Sequence, residues 1–244
     1  MLDRVQLKQE AKGILGRARV SPWLLTLMFM GLLAGMSTVD ALVSGSYVDT
    51  LRMYMPEEMI PAELLRTPAT PAALSTFVGV LVMLLETVLR AGYDLYHLGV
   101  REGRVMPYST VWSCFSIAGR VILLSVVQTV LILLWSLLLV IPGIMAAYRY
   151  RFAILDLLEN PDLGTLDALR MSRAQTNGYK MDLFLLDLSF LGWLILCMLT
   201  FGGLYVWVGP YISQTNVGAF RFVKRATGVG AFPEEPGGSS APSV

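Results

Sequence analysis

The chain has a single histidine and two cysteines among its 244 residues, and Asp, Glu, Lys and Arg together make up only 15% of it. With His97 alone, neither a paired-histidine zinc motif nor a Ser-His-Asp triad elsewhere in the chain is available, and no glycine-rich phosphate loop occurs. Cys114 and Cys197 fit no metal spacing and make no disulfide framework. They are expected toward opposite faces and unpaired. The formal charge of +1 gives no reason to expect nucleic acid as a partner. These absences lead us to expect no metal, no cofactor and no enzymatic activity. An aspartyl pair, Asp156 with Asp187, is the remaining catalytic arrangement, and it has no recognisable motif around it. His97, following Asp94, is read as an interfacial side chain.

What is abundant is apolar sequence: 55% hydrophobic residues and a mean hydropathy of +0.61, more than a soluble domain of this length needs. The expected fold class is an all-α membrane protein, a six-transmembrane-helix bundle with short amphipathic interfacial helices. Residues 1–21 mix Leu2, Val5, Leu7, Ile14 and Leu15 with five basic residues, which suits a helix lying at an anionic inner leaflet or a solvated basic leader. They could pass for the start of a signal peptide, but Asp3 and Glu10 interrupt the basic region. We read a retained first span instead.

The six-helix membrane domain is placed over 22–225, with helices at about 22–43, 72–98, 121–141, 144–158, 183–201 and 204–220. Residues 44–71, acidic and dotted with proline, read as an outer loop with a short helix after Pro61. Residues 101–119 read as an amphipathic interfacial helix, and 165–175 as another, stopped by Asn177-Gly178. The last span is expected to break at Gly209-Pro210. It carries Tyr211, Ser213, Gln214, Thr215 and Asn216, too many polar groups to face lipid all round. Residues 226–244 form a Gly-, Pro- and Ser-rich tail, expected to be disordered.

The stretch Ile141-Pro142-Gly143 decides the topology. If it only kinks a long helix, five spans result and ten Lys or Arg fall outside against nine inside. If it is a tight outer turn, six spans result. Five basic residues in 1–20, four between 90 and 120, five between 149 and 180 and three after 220 then fall inside, 17 against two. Membrane insertion favours that asymmetry, so both termini are expected in the cytoplasm.

The turn has a consequence: Arg149 and Arg151 then enter the bilayer and need partners. Asp156, seven residues after Arg149, returns to its face of a regular helix and is the expected partner in a polar seam; Asp187 is the other buried acid nearby. Glu86, Arg90 and Asp94 follow one another at i+4 and form a ladder, either an intrahelical ion pair or a proton- or ligand-responsive carboxylate. Together with Tyr148, Tyr211 and Gln214, these residues define a candidate internal polar site for a lipid head group, peptide or small amphiphile. The alternative is a scaffold working through the cytoplasmic segments 1–20, 101–119 and 160–180. Membrane lipids are the expected partners, and the sequence argues for no particular oligomer.

One set of residues is familiar as a set: Gly92, Tyr93 and Arg101; Ile141-Pro142-Gly143-Ile144 with Tyr148 and Tyr150; Asn160-Pro161; Ser172-Arg173; Gly178; Leu183-Phe184; Leu188 to Trp193; and Pro210-Tyr211. At this spacing the chain resembles a bacterial integral-membrane family catalogued as domain of unknown function 975. The resemblance implies a bacterial cell-membrane protein, and it brings no catalytic or binding residue with it. A more distant likeness is to the membrane portion attached to some glycerophosphodiester phosphodiesterases.

Overall fold

A computed structural model describes residues 2–56, 59–61 and 71–230, and every regular element among them is helical. The short helix expected after Pro61 and residues 231–244 lie outside the described residues. The helices are α1 (Arg4–Arg17), α2 (Pro22–Ser44), α3 (Ser46–Tyr54), α4 (Ala72–Arg101), α5 (Thr110–Ser113), α6 (Ala118–Leu138), α7 (Val140–Arg149), α8 (Ala153–Glu159), α9 (Thr165–Gln175), α10 (Lys180–Leu188), α11 (Leu191–Leu199) and α12 (Tyr205–Thr227). Four runs are long and apolar enough to cross a membrane: Pro22–Ser44, Ala72–Arg101, Thr110–Leu138 and Lys180–Leu199.

Their starts follow local chemistry. Asp3 caps α1 by accepting hydrogen bonds from the N–H groups of Val5 and Gln6, and Ser21 caps α2 with Pro22 in the first position. Gly45, at φ +76°, turns α2 directly into α3, so the proposed outer loop begins as helix rather than as coil.

The reversal lies three residues earlier than the sequence suggests. Leu139 is extended, with φ −162° and ψ 146°, and the chain folds back so that α7 lies against α6. Trp135 and Arg149 are fourteen residues apart, which a straight helix would separate by about 21 Å. The Arg149 guanidinium instead sits 6.0 Å from the Trp135 ring centre. A kinked continuous helix is therefore excluded. Pro142 falls in the first turn of α7, where its missing N–H has no intrahelical partner to lose. Gly143 allows the two helices to touch: a Cβ there would meet the Ser136 hydroxyl at 2.1 Å.

Several elements differ from their expected form. The span at 144–158 is two helices, α7 and α8, parted at Tyr150–Phe152, and the span at 183–201 is α10 and α11, parted at Ser189–Phe190. The last helix is not broken at Pro210 but continuous to Thr227, since proline six residues in removes one backbone hydrogen bond and neighbouring turns hold. Gly228 caps it at φ +66°, and the carbonyl of Val229 accepts a bond from Gln175, so the chain stays anchored to the end of the described region.

The segment 101–119 is no long surface helix. It is the short α5 plus a 3-10 turn over Cys114–Ile117, seated on α4 where Gly92 leaves room. A Cβ at Gly92 would lie 2.1 Å from the carbonyl oxygen of Val111. Nor does α1 lie free: Leu7, Ala11 and Leu15 are buried where it packs along α12. Lys8 crosses to the second helix break, donating to the Ser189 carbonyl at 3.1 Å and lying over Phe190 at 4.2 Å. Its burial, with Arg4 and Lys12 nearby, holds its ammonium below the usual lysine pKa.

Candidate functional site

Two interrupted helices meet at their breaks, and the charged residues there decide what each arginine does. Arg151 stands in the break between α7 and α8; Asp187 ends the last turn of α10. The Arg151 guanidinium forks onto both carboxylate oxygens of Asp187, at 2.7 Å for the Nη2–Oδ1 contact, and donates again to Asn216 Oδ1 of α12 at 2.7 Å. Tyr148 donates its hydroxyl to Asp187 Oδ2 at 2.8 Å. The bidentate pair, the strongest form such a contact takes, together with the Tyr148 and Asn216 bonds ties α7, α10 and α12.

The backbone freed by the break is answered as well. Ser172 of α9 accepts from the N–H of Phe152 at 3.1 Å and donates to the carbonyl of Arg149 at 3.0 Å. The Thr176 hydroxyl lies 3.2 Å from the same carbonyl. Because Thr176, the C-cap of α9, follows Ser172 by four residues, the two hydroxyls lie on one side and close both open groups. Beside this knot is a cavity of about 120 Å3, lined by Asp94, Arg151, Phe152, Ser213, Asn216 and Val217 among others. It has room for a few waters, not for a head group.

Arg149 is answered by none of this. Its Nε is buried without a hydrogen-bond partner, and no carboxylate pairs with it among the described residues. The register that was to bring Asp156 onto its face is lost at Tyr150–Phe152. Asp156 instead accepts from Gln175 Nε2 at 2.9 Å and is buried. Arg149 opens onto a separate groove of about 360 Å3, shared with Arg170, Arg173, Ala174, Asn177 and Lys180.

The remaining sequence candidates disperse. Glu86, Arg90 and Asp94 follow one another along α4, but no ion pair within 4.0 Å joins them among the described residues; Asp94 faces the small cavity while Arg90 is exposed. Gln214 points to α4, donating to the His97 carbonyl at 2.9 Å and lying 3.1 Å from His97 Nδ1. His97 is fully buried between Tyr93 and Tyr96. Tyr211 packs edge-on against Phe190 and under Lys12. Cys114 and Cys197 are free and buried.

Sequence reasoning did not single out the partners on other helices. Asn216, Ser172 and Gln175 are ordinary polar residues until folding brings them beside a break. A second charged cluster at the ends of α4, α8 and α12 was also unforeseen. Arg221 bridges Glu102 and Glu159, and Lys224 pairs with Glu159, both of these side chains at most 7% exposed. Arg101 reaches Glu10 of α1 at 2.8 Å. The available signal was Glu159 closing an apolar run beside a C-terminal trio of cations.

The profile of a family described as Protein of unknown function (DUF975) matches residues 104–226. The chain belongs to this family. No curated protein and no solved structure matches it. The DUF975 segment runs from the approach to α5 to the last turn of α12, and so contains the whole Arg151–Asp187–Asn216 knot and the Arg149 groove. The first four helices, with Glu86, Arg90 and Asp94, lie before it.

Proposed function

We propose that this is a non-enzymatic, six-span membrane module that binds the anionic head group of a small amphiphile at its inner face. The observation that carries the reading is the difference between two arginines two residues apart. Arg151 is engaged by Asp187 and Asn216, whereas Arg149 has no carboxylate partner among the described residues and opens onto a groove with further cations. An arginine near hydrocarbon is costly to leave unanswered. A bound anion supplies the missing charge.

The six-span count rests on the reversal at Leu139 together with the charge asymmetry. In addition to the four apolar runs, α7 with α8 and then α12 supply the two further crossings, each made polar inside by neighbours rather than by lipid. Both termini then lie on the cytoplasmic side of a bacterial cell membrane, with the α8–α9 hairpin projecting there. Single-cysteine labelling at Thr165 and Arg225 checks this: reagent reaching either position from outside ends the six-span topology.

For the binding reading, the measurement is native mass spectrometry of the detergent-purified protein. The wild type should retain an anionic amphiphile, and Arg149→Gln should fold yet lose it. A ligand-free wild type, or a variant that keeps its adduct, defeats the proposal. The scaffold reading draws on one feature, the outer face of α9, where Leu166 is 59% exposed beside Arg170 and Arg173. It predicts that changes on that face abolish a cellular phenotype that Arg149→Gln leaves intact.

A further inference from the structure

The groove around Arg149 has a definite chemistry. It gathers Arg149 from the end of α7, Arg170 and Arg173 from α9, Asn177 from the turn that follows, and Lys180 from the start of α10. Arg170 is partly occupied by Asp167 at 3.2 Å. Arg149, Arg173 and Lys180 make no ion pair among the described residues, and Lys180 stands within the field of both arginines with no acid offsetting them. Three like charges held together by the fold on three different helices repel one another, and a ligand of opposite charge relieves that repulsion.

We propose that this groove binds a phosphate group, a deepening that rests on the reading of the protein as a binder of an anionic amphiphile. A carboxylate offers one charge and two oxygens. A phosphate monoester carries about −1.5 to −2 at neutral pH and three strong acceptor oxygens, which matches donors arriving from three directions. Two arginines supply planar forks for bidentate contact, the lysine a point charge and Asn177 an amide donor.

The source favoured by the surroundings is the phosphomonoester head group of a lipid such as phosphatidic acid rather than free phosphate. Phe184 is one turn beyond Lys180 on the same face of α10, partly exposed, and packs against Tyr148. Met181 is exposed beside Lys180, and Trp135 adjoins the Arg149 guanidinium. An acyl chain leaving the phosphate therefore has an apolar track to follow.

The test uses the full-length protein in a non-ionic detergent, with thermal unfolding read against dihexanoyl phosphatidic acid, inorganic phosphate, dihexanoyl phosphatidylcholine and decanoate. Phosphatidic acid is expected to raise the unfolding midpoint saturably. Arg173→Gln, at an exposed position where the fold does not depend on it, should weaken binding by roughly fivefold, as loss of one charge-assisted contact in partly open solvent does. Lys180→Gln should act similarly, and Arg4→Gln, a basic residue outside the groove, should change affinity less than twofold. Phosphatidic acid at least tenfold tighter than inorganic phosphate identifies the lipid as the source; equal affinities, both lost in Arg173→Gln, identify free phosphate. Arg173→Gln and Lys180→Gln both binding like wild type, or Arg4→Gln weakening binding as much, overturns the proposal. Decanoate binding as tightly as phosphatidic acid and failing in the same variants removes the phosphate assignment while the amphiphile reading stands. If none of the amphiphiles binds, both readings fall together.

Discussion

Arg151 and Arg149 are separated by one residue, yet they belong to regions built on opposite terms. Around Arg151 every group is matched: a bidentate carboxylate, a tyrosine hydroxyl, an asparagine, and a serine closing the broken backbone. Around Arg149 the charged side chains are all basic, and only Arg170 has an acid partner among the described residues, Asp167 at 3.2 Å. The first arrangement holds helices together, because removing any member leaves a partly buried polar group without its partner. The second holds nothing together and is free to meet something else. The difference shows that buried charge in one short segment need not have one purpose.

The largest expected effect breaks the matched side. Asp187→Asn leaves Arg151 without its counter-charge, and since the two side chains are 19% and 37% exposed, the loss should be about 2–3 kcal/mol, below the value for a fully buried pair. Denaturant unfolding in detergent measures it, and adding Arg151→Gln should recover part of the loss. Next comes the hairpin that puts both arginines in place. Gly143→Val drives a side chain into Ser136 and should cost about 2 kcal/mol, as overpacking does; an unchanged midpoint would mean that α6 and α7 do not touch there.

Ser172→Ala, which opens the backbone at the break, should cost about 1–2 kcal/mol and accelerate amide exchange at Phe152. Arg149→Gln is the smallest, within about 0.5 kcal/mol in ligand-free protein. Equal destabilisation by Arg149→Gln and Asp187→Asn would erase the distinction between the two regions.

The elements most visible in the sequence are those whose physics is local. Uncharged runs such as Val121 to Leu138 declare long apolar helices, and Pro142-Gly143 announces a reversal within three residues of where it occurs. The helix breaks at Tyr150–Phe152 and Ser189–Phe190 were not visible, because neither contains proline or glycine. Missing them put Asp156 opposite Arg149: a regular 3.6-residue period was carried through a point where the helix stops. The polar face of α12 was legible as a set, but which member faced which partner was not. Ser213 and Asn216 line the small cavity, while Gln214 turns to His97.

By itself the sequence determined the apolar runs that give this chain its helices and the bias of its basic residues, since each depends on composition and on neighbours along the chain. The tertiary structure alone decided the pairing of charges. Arg151 finds Asp187 and Asn216 across 36 and 65 residues, and Arg149 finds no carboxylate among the described residues. A charge in an apolar interior is settled by whichever groups the packing brings within about 3 Å, and that distance is set by where helices break and fold back.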